Sequence, residues 1–351
     1  MTTLRSAKQI CDHDFAPAGQ MPALEKVAAR YAVALPPALA ALIDRNDPYD
    51  PIARQFVPSQ AELDHQPQEL NDPIGDDAHS PVAGIVHRYP DRVLLKLNAV
   101  CAVYCRFCFR REMVGPGKPN NLSPAALDAA LDYIRSHREI WEVILTGGDP
   151  LVLSARRLRG VMKALGDIHH VKIVRIHSRV PIADPARITP ELVRALKVKS
   201  KPTYVAVHVN HARELTPQAR AACARMADAG LPLLAQSVLL AGVNDNAQAM
   251  EDLMRALVEC RIKPYYLHHG DLAPGTSHLR TDIAAGQALM RDLRGRLSGL
   301  CQPAYVLDIP GGHGKSPIGP SYIERGPSNG GGHFVIEDFK GERHEYPPRG
   351  G

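Results

Sequence analysis

The 351-residue chain reads as an α/β protein built on a partial (β/α)6 TIM-like barrel, preceded by a helical region and followed by a hairpin extension. Three observations predict this. From residue 93 onward, short β-branched runs alternate with longer amphipathic ones six times in succession, the pattern of a parallel sheet with helices outside. Polar or glycine-rich residues follow each run of strand character, where parallel barrels carry their active face. The composition, 45% hydrophobic and 23% charged, is that of an ordinary globular chain.

The elements follow in order. Residues 1–80 form the N-terminal region, with helical periodicity in LEKVAARYAVAL and PPALAALIDR and proline-broken segments after them. Residues 81–300 form the barrel. Its strands are expected at 93–97, 142–146, 171–177, 203–209, 233–240 and 265–269. Its helices are expected at 123–137, 154–165, 189–197, 216–230, 246–260 and 281–298. Ser123 is a candidate N-cap, and Pro190 suits a first helical position. Residues 301–351 add a short strand, the glycine-rich stretch PGGHGKSP, and a hairpin over 333–346 turning at Lys340-Gly341.

Net charge is +5, from 42 basic against 37 acidic residues. The charges are scattered, which argues against a nucleic-acid partner. No apolar stretch approaches ~18 residues and the stretch MTTLRSAKQICDHDF has no apolar h-region, so neither a membrane partner nor a secretory signal is expected. Seven cysteines, three of them clustered, point to a reducing cytoplasm and a metal or redox role.

The cluster is CAVYCRFCFRR, with Cys101, Cys105 and Cys108 immediately after the first barrel strand. Structural zinc normally takes four ligands, and no second C-x2-C pair exists to complete a site. A [4Fe–4S] cluster wants one thiolate per iron. Three cysteines would leave one iron open for a substrate or cofactor. One strand and one helix later comes TGGDP, where Gly147 and Gly148 permit close backbone approach and Asp149 offers a carboxylate to an ammonium.

C-x3-C-x2-C in this setting, followed by GGD, resembles the radical S-adenosylmethionine superfamily. There the open iron is chelated by S-adenosylmethionine and a GGE-type motif meets its amino group. HRYPDRVLL (87–95), AQSVLLAGVND (235–245) and LDIPGGHGKSP (307–317) further resemble the lysine 2,3-aminomutase family, over roughly residues 80–346. The resemblance implies that Lys315 holds pyridoxal phosphate as a Schiff base, although its glycine-rich loop is not a Walker A motif because Ile309 stands where the first glycine is required. It assigns Arg88 and Arg92 to the cofactor's phosphate and Arg110 to the substrate carboxylate. Asp271 and Asp308 fall to the ammonium of a lysine side chain, an arrangement that would repel glutamate. His208 and Gln236, on strands four and five, fall near S-adenosylmethionine. Arg106 is read as structural, and Arg111 has no assigned role.

The implied reaction is lysine 2,3-aminomutation: a 5′-deoxyadenosyl radical and a pyridoxal-phosphate-dependent 1,2-amino shift interconvert L-lysine and β-lysine. A reductant such as flavodoxin or ferredoxin is the implied partner, and homo-oligomerisation stays open. No cysteine follows Cys301, so the C-terminal zinc of some aminomutases is not expected. This short form also resembles the branch that makes β-lysine for elongation factor P. Other amino acids, glutamate or arginine, and a purely electron-transferring iron-sulfur protein are the remaining alternatives.

Overall fold

A computed structural model describes residues 2–114, 121–325 and 333–347. Nine strands form one sheet in chain order: β1 Ile85–Tyr89, β2 Arg92–Asn98, β3 Glu142–Gly147, β4 Ile173–Ser178, β5 Thr203–His208, β6 Leu233–Val238, β7 Ile262–His268, β8 Ala304–Ile309 and β9 Gly314–Pro317. Strands β2 to β8 are parallel. Strand β1 pairs antiparallel with β2 at one edge and β9 antiparallel with β8 at the other. The sheet curls into a part-barrel whose helices pack outside, the α/β architecture the six repeats predict. Strand β3 is buried at its four central residues, as expected where both faces are covered.

The intervening helices begin where the sequence supplies caps. Ser123, Ser154, Thr189, Thr216 and Asn246 each accept a backbone N–H from three residues on, opening helices Pro124–Ser136, Ala155–Gly166, Pro190–Ala195, Pro217–Asp228 and Ala247–Glu259. The sixth helix runs Ile283–Arg294, shorter than its 281–298 periodicity implied. Strand β7 starts at Ile262, three residues before its expected position. Strand β8, expected with the segment after residue 300, and strand β9, formed where the glycine-rich stretch reads as a loop, extend the barrel sheet.

The N-terminal region departs most from its apolar periodicity. LEKVAARYAVAL is helical only to Arg30, within Met21–Arg30, and PPALAALIDR makes one turn, Pro37–Ala40. Pro36 disfavours a helical residue before it, and Leu35 instead bridges Leu4. Tyr31, Val33 and Leu35 are buried in extended chain, so their apolar pattern reflects contact with the barrel, not a helix face. At the other end, the expected hairpin is β11 Phe334–Glu337 with β12 Arg343–Tyr346, joined by β10 Ile323–Arg325 into a small sheet. Residues 326–332 and 348–351 of that extension lie outside the described residues. Among the described residues no helix is long and apolar enough to cross a membrane.

Candidate active site

A cavity of about 520 Å3 opens at the C-terminal ends of the barrel strands. The cysteine loop supplies Cys101, Cys105, Cys108 and Arg110 to its wall, the turn after β3 Gly147, Gly148 and Asp149, and β5 and β6 His208 and Gln236. The hairpin β1–β2 contributes Arg88 and Arg92, the loop after β7 Asp271, and the hairpin β8–β9 Asp308 and Lys315. Every residue that the resemblance assigns to a cluster, cofactor or substrate therefore reaches this one space.

The three cysteines are free thiols. Among the described residues their sulfurs form no group close enough to surround one metal ion. Three thiols too far apart for one ion suit a polynuclear cluster, so the donor set fits iron and sulfide better than zinc. Burial pushes all three thiols up, Cys105 to about 11. The thiols bind metal as thiolates, so loading must release protons.

The two glycines after β3 have a reason of their own. A side chain on Gly147 would meet the Asn98 carbonyl, and one on Gly148 the Val100 backbone. Gly148 donates to Asn98 O at 2.6 Å and Asp149 to Val100 O at 2.8 Å, so the turn is laid directly on the chain entering the cysteine loop. Asp149 differs from expectation. Its carboxylate already accepts from the Leu151 N–H (2.9 Å), the Ser178 hydroxyl (2.8 Å), and the N–H groups of Arg179 (2.7 Å) and Val180 (3.2 Å). With those lone pairs occupied, the side chain ties β3 to the end of β4 and is not available to an ammonium.

Arg88 lies in β1 and Arg92 in β2, across a tight hairpin. Arg92 bonds Asp91 at 2.6 Å and lies 3.8 Å over the Tyr89 ring. Arg88 reaches Asp76 at 3.0 Å and comes within 3.9 Å of Asp308. Arg110 donates through Nε to the other oxygen of Asp76 at 2.8 Å, leaving its Nη groups turned toward Thr146.

Asp308 and Lys315 face one another in register on β8 and β9, with Nζ 2.8 Å from Oδ1. His268 approaches the other Asp308 oxygen at 3.6 Å. Burial alone would raise the Asp308 carboxyl, but the His268 hydrogen bond and the Lys315 charge hold it well below the usual carboxylate range. Asp271 lacks such partners. Burial and the neighbouring Asp308 charge push it up to about 7. Two carboxylates in one space with opposite shifts make a site that gains from a third positive group. His208 and Gln236 are register partners on β5 and β6. Burial lowers His208 to about 3, so it faces the cavity as a neutral ring.

Residues 95–256 match the Radical SAM superfamily. The chain is 45% identical over 291 residues to L-lysine 2,3-aminomutase of Clostridium subterminale, covering 83% of this chain and 70% of that protein. It is 43% identical to L-lysine 2,3-aminomutase of Acetoanaerobium sticklandii, over 88% of this chain and 73% of the other. The chain belongs to the lysine 2,3-aminomutase family. Glutamate 2,3-aminomutase of Clostridioides difficile is similar at 36% identity, over 91% of this chain and 74% of that protein. The family works with a [4Fe–4S] cluster, S-adenosylmethionine and pyridoxal 5′-phosphate.

As a lysine 2,3-aminomutase family member, the chain also carries site residues that motif reading passed over. Asp76 is fully buried and bridges Arg88 and Arg110. It belongs to a series at seven-residue spacing that fastens the N-terminal region to the barrel. Gln55 accepts from Arg179 at 3.0 Å, Glu62 holds both Arg106 and Arg111, and Glu69 meets Arg280 at 2.8 Å. Arg106 is thus structural, as expected, and Arg111 gains a role: it lies 3.5 Å over Tyr31 and donates to Gly275 O at 3.0 Å. The sequence signal was only that four polar residues recur every seven positions, a period that no continuous helix spans here. Tyr89, inside the HRYP stretch, also accepts the Lys315 N–H at 2.7 Å.

Proposed function

We propose that this protein is a lysine 2,3-aminomutase, interconverting L-lysine and β-lysine. The observation that carries this is the set of charges lining one cavity: Arg110, Lys315 and two carboxylates, Asp271 and Asp308. When bound, the reduced cluster with S-adenosylmethionine supplies a 5′-deoxyadenosyl radical, and pyridoxal phosphate supplies the unsaturation over which the amino group migrates.

The residues divide the remaining work. Cys101, Cys105 and Cys108 would hold three irons of the cluster. The Gly147-Gly148 turn, His208 and Gln236 line the space for S-adenosylmethionine, whose amino group would meet backbone at this turn, since the Asp149 carboxylate is already saturated. Arg88 and Arg92 suit the cofactor phosphate. Arg110, anchored through Nε, offers its two Nη groups to a carboxylate. Asp271 and Asp308 receive the side-chain ammonium. Lys315 Nζ donates to Asp308; Lys315 would hold pyridoxal phosphate, and Asp308 would then be available to the substrate ammonium.

A glutamate side chain would put a third anion beside Asp271 and Asp308, and its burial would be costly. The test is an anaerobic assay with dithionite, S-adenosylmethionine and pyridoxal phosphate, offering lysine, glutamate and arginine separately. β-Lysine formation is expected from lysine alone. Turnover of glutamate in place of lysine would overturn the reading. The required reductant is a low-potential one-electron donor of the flavodoxin or ferredoxin kind. Whether the product is free β-lysine or serves elongation factor P is read from which acceptor takes it up.

A further inference from the structure

Asp271 stands on a stretch with no ladder of its own. Strand β7 ends at His268, and residues 269–276 run on without helix or strand. Such a connection is held only by what packs against it. Here two consecutive residues of the N-terminal region grip it. Leu70 donates its N–H to Leu272 O at 2.8 Å, directly after Asp271. Glu69 accepts the Gly275 N–H on Oε2 at 3.0 Å, and its Oε1 lies 2.8 Å from Arg280 Nη1. The Glu69 side chain is 2% exposed.

Arg280 completes the grip from the other side. Its stem lies against Gly270, the residue before Asp271, where an added Cβ would come 3.1 Å from Arg280 Cγ. Its Nη1 donates to Thr276 Oγ1 at 3.0 Å, and that hydroxyl donates to Ala273 O at 2.7 Å. One arginine therefore touches the chain just before Asp271 and the turn just after it. Gly275 in that turn has φ +68, and a side chain there would meet the Glu62 carbonyl, so the turn is seated directly on the N-terminal chain. Neither Glu69 nor Arg280 is among the residues lining the cavity, whereas Asp271 is. Whatever the pair does for a bound substrate must pass through the loop it holds.

We propose that Glu69 and Arg280 are positioning residues for substrate selection: their ion pair fixes the loop so that the Asp271 carboxylate meets the ammonium at the end of a lysine side chain. This rests on reading Asp271 as an acceptor for that ammonium. A buried ion pair adds little net stability over apolar packing, so what these two residues contribute is direction. A carboxylate selects an ammonium only while it is held in hydrogen-bonding reach, and a shift of the loop would weaken that contact without disturbing the other end of the amino acid. The N-terminal region thus takes part in choosing the substrate although none of its residues from 62 to 70 lines the cavity.

The test measures binding apart from turnover. The full-length protein, loaded with cluster and pyridoxal phosphate but given no S-adenosylmethionine, is titrated with lysine or with norleucine, which lacks the ammonium, and the cofactor absorbance is followed. Glu69→Gln removes one charge and keeps the acceptor for Gly275. Glu69→Gln combined with Arg280→Gln removes both charges and leaves neither buried alone, so it carries the same expectation if the single variant does not fold. The thermal transition, iron content and cofactor absorbance establish that each variant is folded and loaded. Lysine is expected to bind about tenfold more weakly to both variants and norleucine within about twofold of the parent. With S-adenosylmethionine and reductant added, KM for lysine should rise about tenfold while kcat changes less than about threefold. In an Asp271→Asn background, Glu69→Gln should weaken lysine binding by less than about twofold further. Unchanged lysine binding overturns the proposal. Equal weakening of lysine and norleucine also overturns it, because the pair would then support the whole pocket. So does a full effect of Glu69→Gln in the Asp271→Asn background, which would route it through another residue. Lysine binding untouched by Asp271→Asn alone would instead refute the reading of Asp271, and the proposal with it.

Discussion

The two extensions of the barrel are attached in opposite ways. The N-terminal region reaches the active site through buried charge: Glu62, Glu69 and Asp76 each engage an arginine at or near the cavity, and Glu62 and Asp76 are fully buried. The C-terminal sheet lies outside. Its strands β10 and β12 are exposed along their length. Its links to the barrel are contacts such as Phe339 against Gly295 and an Arg291–Glu337 pair at 3.3 Å. The first extension therefore belongs to the catalytic apparatus energetically, although it contributes no cofactor ligand. The second can vary with little consequence for the chemistry.

The strongest test of this contrast is Glu62→Ala. It strands Arg106 and Arg111, which flank Cys108, without their shared acceptor. Breaking a buried pair on one side costs about 3–5 kcal/mol, so thermal unfolding should occur at clearly lower temperature and bound iron should fall. Retention of both would sever the N-terminal region from the cluster. Next in size is Asp76→Asn. With Arg88 and Arg110 both released, kcat/KM for lysine should fall by roughly 100-fold, with weaker pyridoxal phosphate binding in a spectral titration. If only one of the two ligands is affected, the bridge does not couple the arginines.

A smaller effect is expected from pH. The Asp271 carboxyl sits at about 7, above its unfolded value, so the folded empty site holds a proton that the unfolded chain would lose. Stability from this group is present below its unfolded value and declines as pH rises toward 7. Lysine binding has the opposite sense, because the ammonium needs the anionic form. KM should drop about tenfold per unit as pH rises toward 7 and then level off. Asp271→Asn should bind weakly with a flat profile; a retained slope would place the titration elsewhere. Smallest of all is Ile323→Ser on the C-terminal sheet. Ile323 is 51% exposed, and stability should stay within about 0.5 kcal/mol with turnover unchanged.

The barrel was legible because each of its elements is dictated locally. Caps such as Ser123 and Thr216 start helices, and buried runs such as VILT make strands. The cavity-lining residues were legible because their motifs are short and contiguous. What the sequence hid is long-range. Asp76 finds Arg110 across 34 positions, and Gln55 finds Arg179 across 124. No local pattern announces such a pairing, and the apolar rhythm around Tyr31 imitated a helix because extended chain lay against the barrel. Asp149 misled for a related reason: its motif was in plain view, but its hydrogen-bond partners come from the end of β4.

One junction in the ring differs from all the others. Between β1 and β9 no strand ladder is formed, and a single phenol, Tyr89, accepts the Lys315 N–H across the gap. A ladder resists separation along its whole length, but a lone side-chain contact yields by rotating one bond. The wall that carries the lysine is therefore joined to the first hairpin by side-chain contacts, Tyr89 to Lys315 and Arg88 to Asp308, and not by a ladder among the described residues.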